Sequence, residues 1–351
     1  MATYQESTER SEIATLIFDE DGDFPAFFAF FGTILHQKNF LVVNGQGGLT
    51  YRDIGVAVSL LKSSRGTTKN GVIQTLNNDN GTATPRSNVL DALNLAVNMV
   101  LMVDCDPQES HARGYTIADY SPKSWQPDMT YLDFVQRSFP IGASERVQWS
   151  LKASKLKKRL RIKFLPTDDL DKHLLYDSGN PPCVYLFHQV GFLKAQLNKY
   201  NDMEMPLDLT VDECLERGSP PVQLLYETIH SLQQLLFRRH DNKSKAILKE
   251  LINEEGFDSE CEVYDGYRPL DGDDFTYTYW GERMRKLEAA LANPPPRNKL
   301  EAWLQSQTSE RNALFIALVA LFISIFVGLL SLGLAGFQTW IAWMAWKYPV
   351  K

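Results

Sequence analysis

Cysteine is scarce in this chain of 351 residues, and its four copies, Cys105, Cys183, Cys214 and Cys261, lie far apart. No two have the close spacing of a zinc site, and the count is too low for a disulfide framework, so free thiols in a reducing compartment are expected. Basic excess is also missing, with 36 Lys and Arg against 43 Asp and Glu and a formal charge of -7. That argues against bulk nucleic-acid binding, which leaves a basic footprint, and no nucleic-acid partner is expected. The N-terminus lacks an apolar core, since Met1 to Leu16 reads MATYQESTERSEIATL, and so it is not a secretory signal peptide.

Recognisable catalytic, nucleotide and metal motifs are lacking too. Gly45, Gly47 and Gly48 in NGQGG have neither the dinucleotide spacing nor the Lys-Ser/Thr of a P-loop, and read as a turn. Asp271, Asp273 and Asp274, with Glu282 at the twelfth position, imitate a calcium loop, but Phe275 occupies a ligand position and Thr276 stands where glycine is needed. His188 lies five residues after Cys183, yet strand alternation puts that pair on opposite faces and no orienting acid is identifiable. His173 and His230 read as packing residues on amphipathic helices. No catalytic residue, cofactor or metal ligand is therefore assigned.

What the chain does have is one long uncharged stretch, from Asn312 to Trp346. About 20 apolar residues suffice for a helix to cross a hydrocarbon core of roughly 30 Å. Ala313 to Leu334 supplies fifteen Leu, Ile, Phe and Val residues. Their summed preference for the membrane is about 5 to 9 kcal/mol. A helix continuing to Trp346 would be about 50 Å long, so the span is predicted to end near Gly336 or Phe337. Trp340, Trp343 and Trp346 then anchor the tail at headgroup level.

Small residues recur along this helix at spacings of three and four: Ala317, Ala320, Ser324, Gly328, Ser331 and Ala335, continuing to Gln338 and Ala342. Such a stripe lets two membrane helices approach closely, which points to a homo-oligomer or a helical membrane partner. Chance register is the alternative, because Gly333 and Gly336 lie off the stripe.

With no N-terminal signal and one span near the C-terminus, the chain is expected to insert after translation as a tail-anchored, single-pass membrane protein with its N-terminal portion cytosolic. Arg297, Lys299 and Arg311 ahead of the span, against Lys347 and Lys351 behind it, agree weakly. In that orientation the sequons at Asn80 and Asn242 stay unglycosylated.

The remaining residues predict a mainly α fold with a small β element. Residues 1–145 read as mainly helical, 146–293 as helical with a two-strand element, 294–312 as a linker, 313–337 as the transmembrane helix and 338–351 as an interfacial aromatic tail. Predicted helices cover Phe24 to His36, Thr50 (as cap) to Leu61, Ser87 to Val103, Tyr131 to Phe139, Ser219 to Arg239, Lys243 to Glu255 and Trp280 to Ala292. Alternation of Arg161 and Lys163 with Leu160, Ile162 and Phe164 predicts a half-buried strand, paired with CVYLF at Cys183 to Phe187, with a short helix from Thr167 between them. Within the basic run from Lys152 to Lys163, Lys155, Lys157, Lys158 and Arg159 are candidate contacts to anionic lipid or an acidic partner. A merely solvated face is the commoner meaning of such a run, and nuclear import conflicts with the span.

The succession NVLDALNLAVNMVLMVD, TYLDFVQRSFP, LRIKFLPTDDLDKHLLYDSGNPPCVYLFHQVGFLKAQL, PPVQLLYETIHSLQQLLF and YWGERMRKLEAAL, with a terminal span ending AWKYPV, resembles a large family of ascomycete fungal membrane proteins. The resemblance covers most of Asn88 to Val350. It implies a fungal membrane protein with this organisation, and no reaction, substrate or site residue.

Two function classes remain open. One is an interaction or scaffold module held at a membrane, with an unknown cytosolic protein as partner. The other is a membrane-bound enzyme or accessory of fungal specialised metabolism, which a deep pocket with converging ionisable groups would favour. Replacing Gly328 and Ser331 by Leu is expected to abolish self-association in a membrane two-hybrid assay, and unchanged association would remove the stripe's role.

Overall fold

Tyr51, Ile54, Ala57, Val58 and Leu61 recur at helical spacing and are all buried, which shows how the N-terminal half builds its core. The computed structural model describes residues 2–40, 48–79, 86–107, 115–118, 120–143, 151–200, 206–264, 275–294 and 313–348. Several predicted features lie outside these residues: Gly45 and Gly47, the Asn80 sequon, the acidic turn at Asp271, Asp273 and Asp274, and most of the linker with Arg297, Lys299 and Arg311. The described chain is mainly α-helical with one small sheet, and it divides into two units, Met1–Ala292 and Asn293–Lys351.

The first unit begins with α1 (Ala2–Phe18), α2 (Pro25–Phe40), α3 (Tyr51–Ser63), α4 (Lys69–Asp79) and α5 (Arg86–Leu101). Thr50 caps α3 as expected: its hydroxyl accepts the Asp53 N–H at 3.3 Å while Asp53 Oδ2 accepts the Thr50 N–H at 3.0 Å. Helix α1 lies in the region expected to be mainly helical, although no individual helix is predicted there. Its Ile13, Ala14, Ile17 and Phe18 are buried, and Phe18 meets Phe27 edge-on at 5.1 Å. Helix α5 is buried almost all round, as its composition predicts.

After α6 (Tyr131–Ser138) comes α7 (Ala153–Leu160), and here the structure overturns an expectation. Leu160 and Ile162 are not in a strand. Ala153, Leu156 and Leu160, spaced three and four apart, bury one face of α7, and Arg161 ends it in the left-handed conformation at φ 56°. Only then does β1 (Lys163–Thr167) begin.

The sheet has three strands where two were predicted, because β2 (Leu175–Asp177) joins β1 and β3 (Cys183–Phe187) in the order β1-β3-β2. Strand β1 runs parallel to β3, pairing Lys163 with Cys183, and β2 runs antiparallel to it, pairing Leu175 with Tyr185. The helix expected from Thr167 is a single 3-10 turn, Leu170–Lys172, capped by Asp169. His173 follows that turn and sits on no helix.

Helices α8 (Val190–Asn198), α9 (Val211–Glu216) and α10 (Val222–His230) follow. Helix α10 widens into a π-helical segment, Ser231–Leu236, so the predicted helix stops short of Arg239. Helices α11 (Asn242–Glu254) and α12 (Gly281–Ala292) complete the first unit close to their predicted bounds.

Glu227 on α10 organises the approach to α12. It is fully buried, and its carboxylate accepts hydrogen bonds from the N–H groups of Thr278 (2.6 Å), Tyr279 (2.9 Å) and Trp280 (2.9 Å) and from the Thr278 hydroxyl (2.9 Å). Gln223 Nε2 donates a fifth at 2.9 Å. A negative charge at the start of α12 also opposes the positive end of that helix dipole.

In the second unit, α13 (Ala313–Lys347) runs for 35 residues without a break. Ala317–Lys347 is long and apolar enough to cross a membrane. The predicted end at Phe337 marks no change in the helix, which carries Trp340, Trp343 and Trp346 on its last turns, with Lys347 Nζ 4.7 Å from the Trp343 ring. Ser324 and Ser331 donate to the carbonyls of Ala320 (2.9 Å) and Val327 (3.0 Å). Their hydroxyl protons are thereby used within the helix, so these two positions of the stripe offer close contact more than hydrogen-bond donors.

Glu227→Gln would turn an NH2 group toward N–H donors. It is expected to destabilise the first unit by about 3 kcal/mol or more. Chemical denaturation of the full chain in detergent checks this.

Candidate functional site: a cavity around Asp171

A cavity of about 680 Å³ opens between the end of α6, strand β2 and the first turns of α12. Each wall follows from the fold just described. The strap held by Glu227 contributes Tyr279 and Trp280, α12 contributes Arg283 and Lys286, β2 contributes Tyr176, and the end of α6 contributes Ser138. Gly142 N–H donates to the Thr278 carbonyl at 2.7 Å, tying one lip to the strap.

Asp171, in the 3-10 turn before β2, is 2% exposed and lines the cavity. Its Oδ2 has no well-formed hydrogen bond; Lys123 Nζ stands 3.5 Å away, with the Tyr120 hydroxyl beside it. The Ser138 hydroxyl, fully buried, also lacks a hydrogen-bond partner among the described residues, although the Ser138 carbonyl accepts from Lys123 Nζ at 3.0 Å. Burial pushes the Asp171 carboxyl above its ordinary range against the pull of Lys123 and Arg283. Burial likewise pushes Asp169 up to about 7, opposed by Lys172.

Arg283 is fixed. Its Nη1 donates to the carbonyls of Asp171 and His173, both at 2.6 Å, and its guanidinium lies 4.9 Å from the Trp280 ring centre. Lys123, Arg283, Arg285 and Lys286 line the cavity with Asp171 and Glu282, so cations outnumber anions there. Aromatic walls, a fixed guanidinium and two buried oxygen atoms without a hydrogen bond among the described residues suit a small polar molecule carrying an O–H or N–H donor.

The histidines are committed elsewhere. His173 Nδ1 accepts the Phe187 N–H at 3.2 Å, which assigns the ring proton to Nε2, and Nε2 donates to Ser231 Oγ at 2.7 Å. The Ser231 hydroxyl in turn donates to the Thr228 carbonyl at 2.7 Å. Its proton thus points away from the imidazole, the reverse of a nucleophile and its base.

His188 has the orienting acid that the sequence did not reveal: Asp168 Oδ1 lies 3.2 Å from Nε2, and Gln189 Nε2 donates to the same oxygen at 2.6 Å. Burial works against the charged form of Asp168, but these contacts hold its carboxyl below the ordinary range. His188 Nδ1 accepts the Asp258 N–H at 3.0 Å. The thiol nearby belongs to Cys261, not Cys183, and donates to the His188 carbonyl at 3.2 Å; burial raises it well above the usual thiol range. Cys183 opens β3, five residues or about 16 Å of strand away from His188. Partners separated by 58 and 73 residues leave no local mark in a sequence.

The predicted basic residues share α7. Lys157 pairs with Glu250 at 2.8 Å, while Lys155, Lys158 and Arg159 form no ion pair among the described residues. Lys157, Lys158 and Arg159 are exposed and Lys155 half-buried. These residues do not line the Asp171 cavity. Compared with protein-family models, curated proteins and solved structures, the chain matches none.

Burial lowers His230 to about 4, with Arg238 adding to the effect. The folded state keeps this ring neutral where the unfolded chain takes up a proton, so the associated stability is present above pH 6.5 and is lost as pH falls through about 4. Asp169 titrates in the opposite sense, so the effect is isolated by comparing wild type with His230→Gln. From pH 6.5 to 4 the wild type is expected to lose up to about 3 kcal/mol more than the variant; parallel denaturation curves would contradict this.

Proposed function

We propose that this chain is a tail-anchored membrane protein whose helical domain faces the cytosol and acts as a binding and interaction module, with the Asp171 cavity as its small-molecule site. The observation that carries the reading is a pair of buried oxygen atoms without a hydrogen bond among the described residues, Asp171 Oδ2, held by the 3.5 Å ion pair to Lys123, and Ser138 Oγ, on the wall of a 680 Å³ cavity. Leaving a buried hydroxyl such as that of Ser138 without a partner costs about 1 to 3 kcal/mol, a cost that a ligand with a polar group removes.

Placement in the cytosol is supported by the four cysteines, all free and buried. Anchoring is supported by the apolar length of α13. A binding role is favoured over turnover because His173 and His188 have both ring nitrogens engaged and the Cys261 thiol is bonded to a carbonyl. The cavity with its converging ionisable groups is what favours a second reading, a membrane-bound enzyme or accessory protein of specialised metabolism in an ascomycete, in line with the resemblance in the sequence.

Native mass spectrometry of the full chain, purified in nanodiscs from its own membranes, tests the site. Wild type is expected to retain a small-molecule adduct that Asp171→Asn combined with Lys123→Met loses. A wild-type protein without an adduct, and without thermal stabilisation by any of a panel of organic acids, amines and polyols, would refute it. Protease protection of the first unit, or a glycan on Asn242, would overturn the orientation.

A further inference from the structure

A second cavity, of about 490 Å³, lies where the π-helical segment ends and α7 and α11 both begin. Its wall carries Lys152, Arg238, Arg239 and His240 around a single carboxylate, Asp241. That carboxylate is already occupied: it accepts from the Ser154 hydroxyl (3.2 Å), the Ser244 hydroxyl (3.0 Å) and the Lys243 N–H (3.2 Å), and these bonds hold it below its ordinary range despite burial. Arg238 is anchored by its Nε on the Gln234 carbonyl at 2.8 Å. Arg239 and His240 are exposed and have no ion pair or hydrogen bond among the described residues. Lys152 Nζ stands 3.9 Å from Asp241.

Three permanent cations therefore face one satisfied carboxylate, and two helices of eight and thirteen residues direct their positive ends to the same place. We propose that this cavity binds a phosphate monoester. Arginine forks suit phosphate oxygens, lysine adds a point charge, and the volume exceeds that of the bare anion, leaving room for the group that carries it.

The source of the phosphate is either a lipid headgroup or a soluble ester, and α7 bears on which. Lys152, Lys155 and Arg159, three and four residues apart, continue the positive charge from the cavity along one face of the helix. A membrane carrying phosphorylated headgroups would engage cavity and stripe together. A soluble ester would engage the cavity alone.

The test uses the full chain in phosphatidylcholine nanodiscs. One arm titrates inorganic phosphate and reads its phosphorus NMR line width. The other measures co-sedimentation with phosphatidylcholine vesicles with and without phosphatidylinositol 4-phosphate. Arg239→Gln is expected to weaken phosphate binding roughly tenfold to a hundredfold. Arg239→Lys should retain part of it, and Lys249→Gln, an equal charge loss on an exposed part of α11, should leave it within about twofold. If Arg239→Gln and Arg159→Gln also abolish vesicle binding, the phosphate belongs to a lipid; if vesicles never bind, it belongs to a soluble ester. Absence of phosphate binding to wild type, or equal loss in Arg239→Gln and Lys249→Gln, overturns the proposal.

Discussion

A single buried carboxylate sets the geometry on which the Asp171 cavity depends. Glu227 is shut off from water, a state that is tolerable only because five donors surround its two oxygens. Those donors belong mostly to the backbone of residues 278–280, so the charge on α10 dictates where α12 starts. From α12, Arg283 reaches the carbonyl of Asp171 within the 3-10 turn and that of His173 just after it, and positions Asp171. One charge thereby links a core helix, a strap, a second helix and the floor of the cavity.

The chemistry-bearing residues divide into those that the fold consumes and those that it leaves over. His173, His188 and Cys261 fall in the first group: each polar atom is matched to a backbone or side-chain partner, and burial holds the His173 imidazole neutral and the Cys261 thiol protonated. Ser138 Oγ, without a partner among the described residues, and Asp171 Oδ2, held by the long ion pair to Lys123, fall in the second, and they share one cavity. Burial without a partner has an energetic consequence, and a ligand with a suitable donor is the natural means of removing it. The same distinction separates Asp241, whose carboxylate is saturated, from Arg239 beside it.

The apolar helix obeys a different rule. A helix placed in hydrocarbon has to satisfy its polar atoms internally or on a neighbour, and the back-bonded hydroxyls of Ser324, Ser331 and Thr339 meet that requirement internally. What remains on that face is a surface of small side chains, suited to close contact between backbones.

The sequence by itself determined the elements that depend on local chemistry. Thr50 with Asp53, and Thr130 with Asp133, mark helix starts because a side-chain oxygen three residues away satisfies an amide that the helix leaves unpaired. The uncharged run beyond Asn312 marks a membrane-length helix because hydrophobicity adds residue by residue. Where two periodicities overlapped, local reading failed: the alternation from Leu160 to Phe164 suggested a strand, but burial of Ala153, Leu156 and Leu160 on one helical face prevailed. Strand β2, three residues long, is too short for any period to show. Only the tertiary structure decided which polar groups meet. Asp171 with Lys123 and Arg283, His188 with Asp168 and Cys261, and Glu227 with its strap are mostly joined across tens of residues, and burial, which sets the strength of each contact, exists only once the chain has folded.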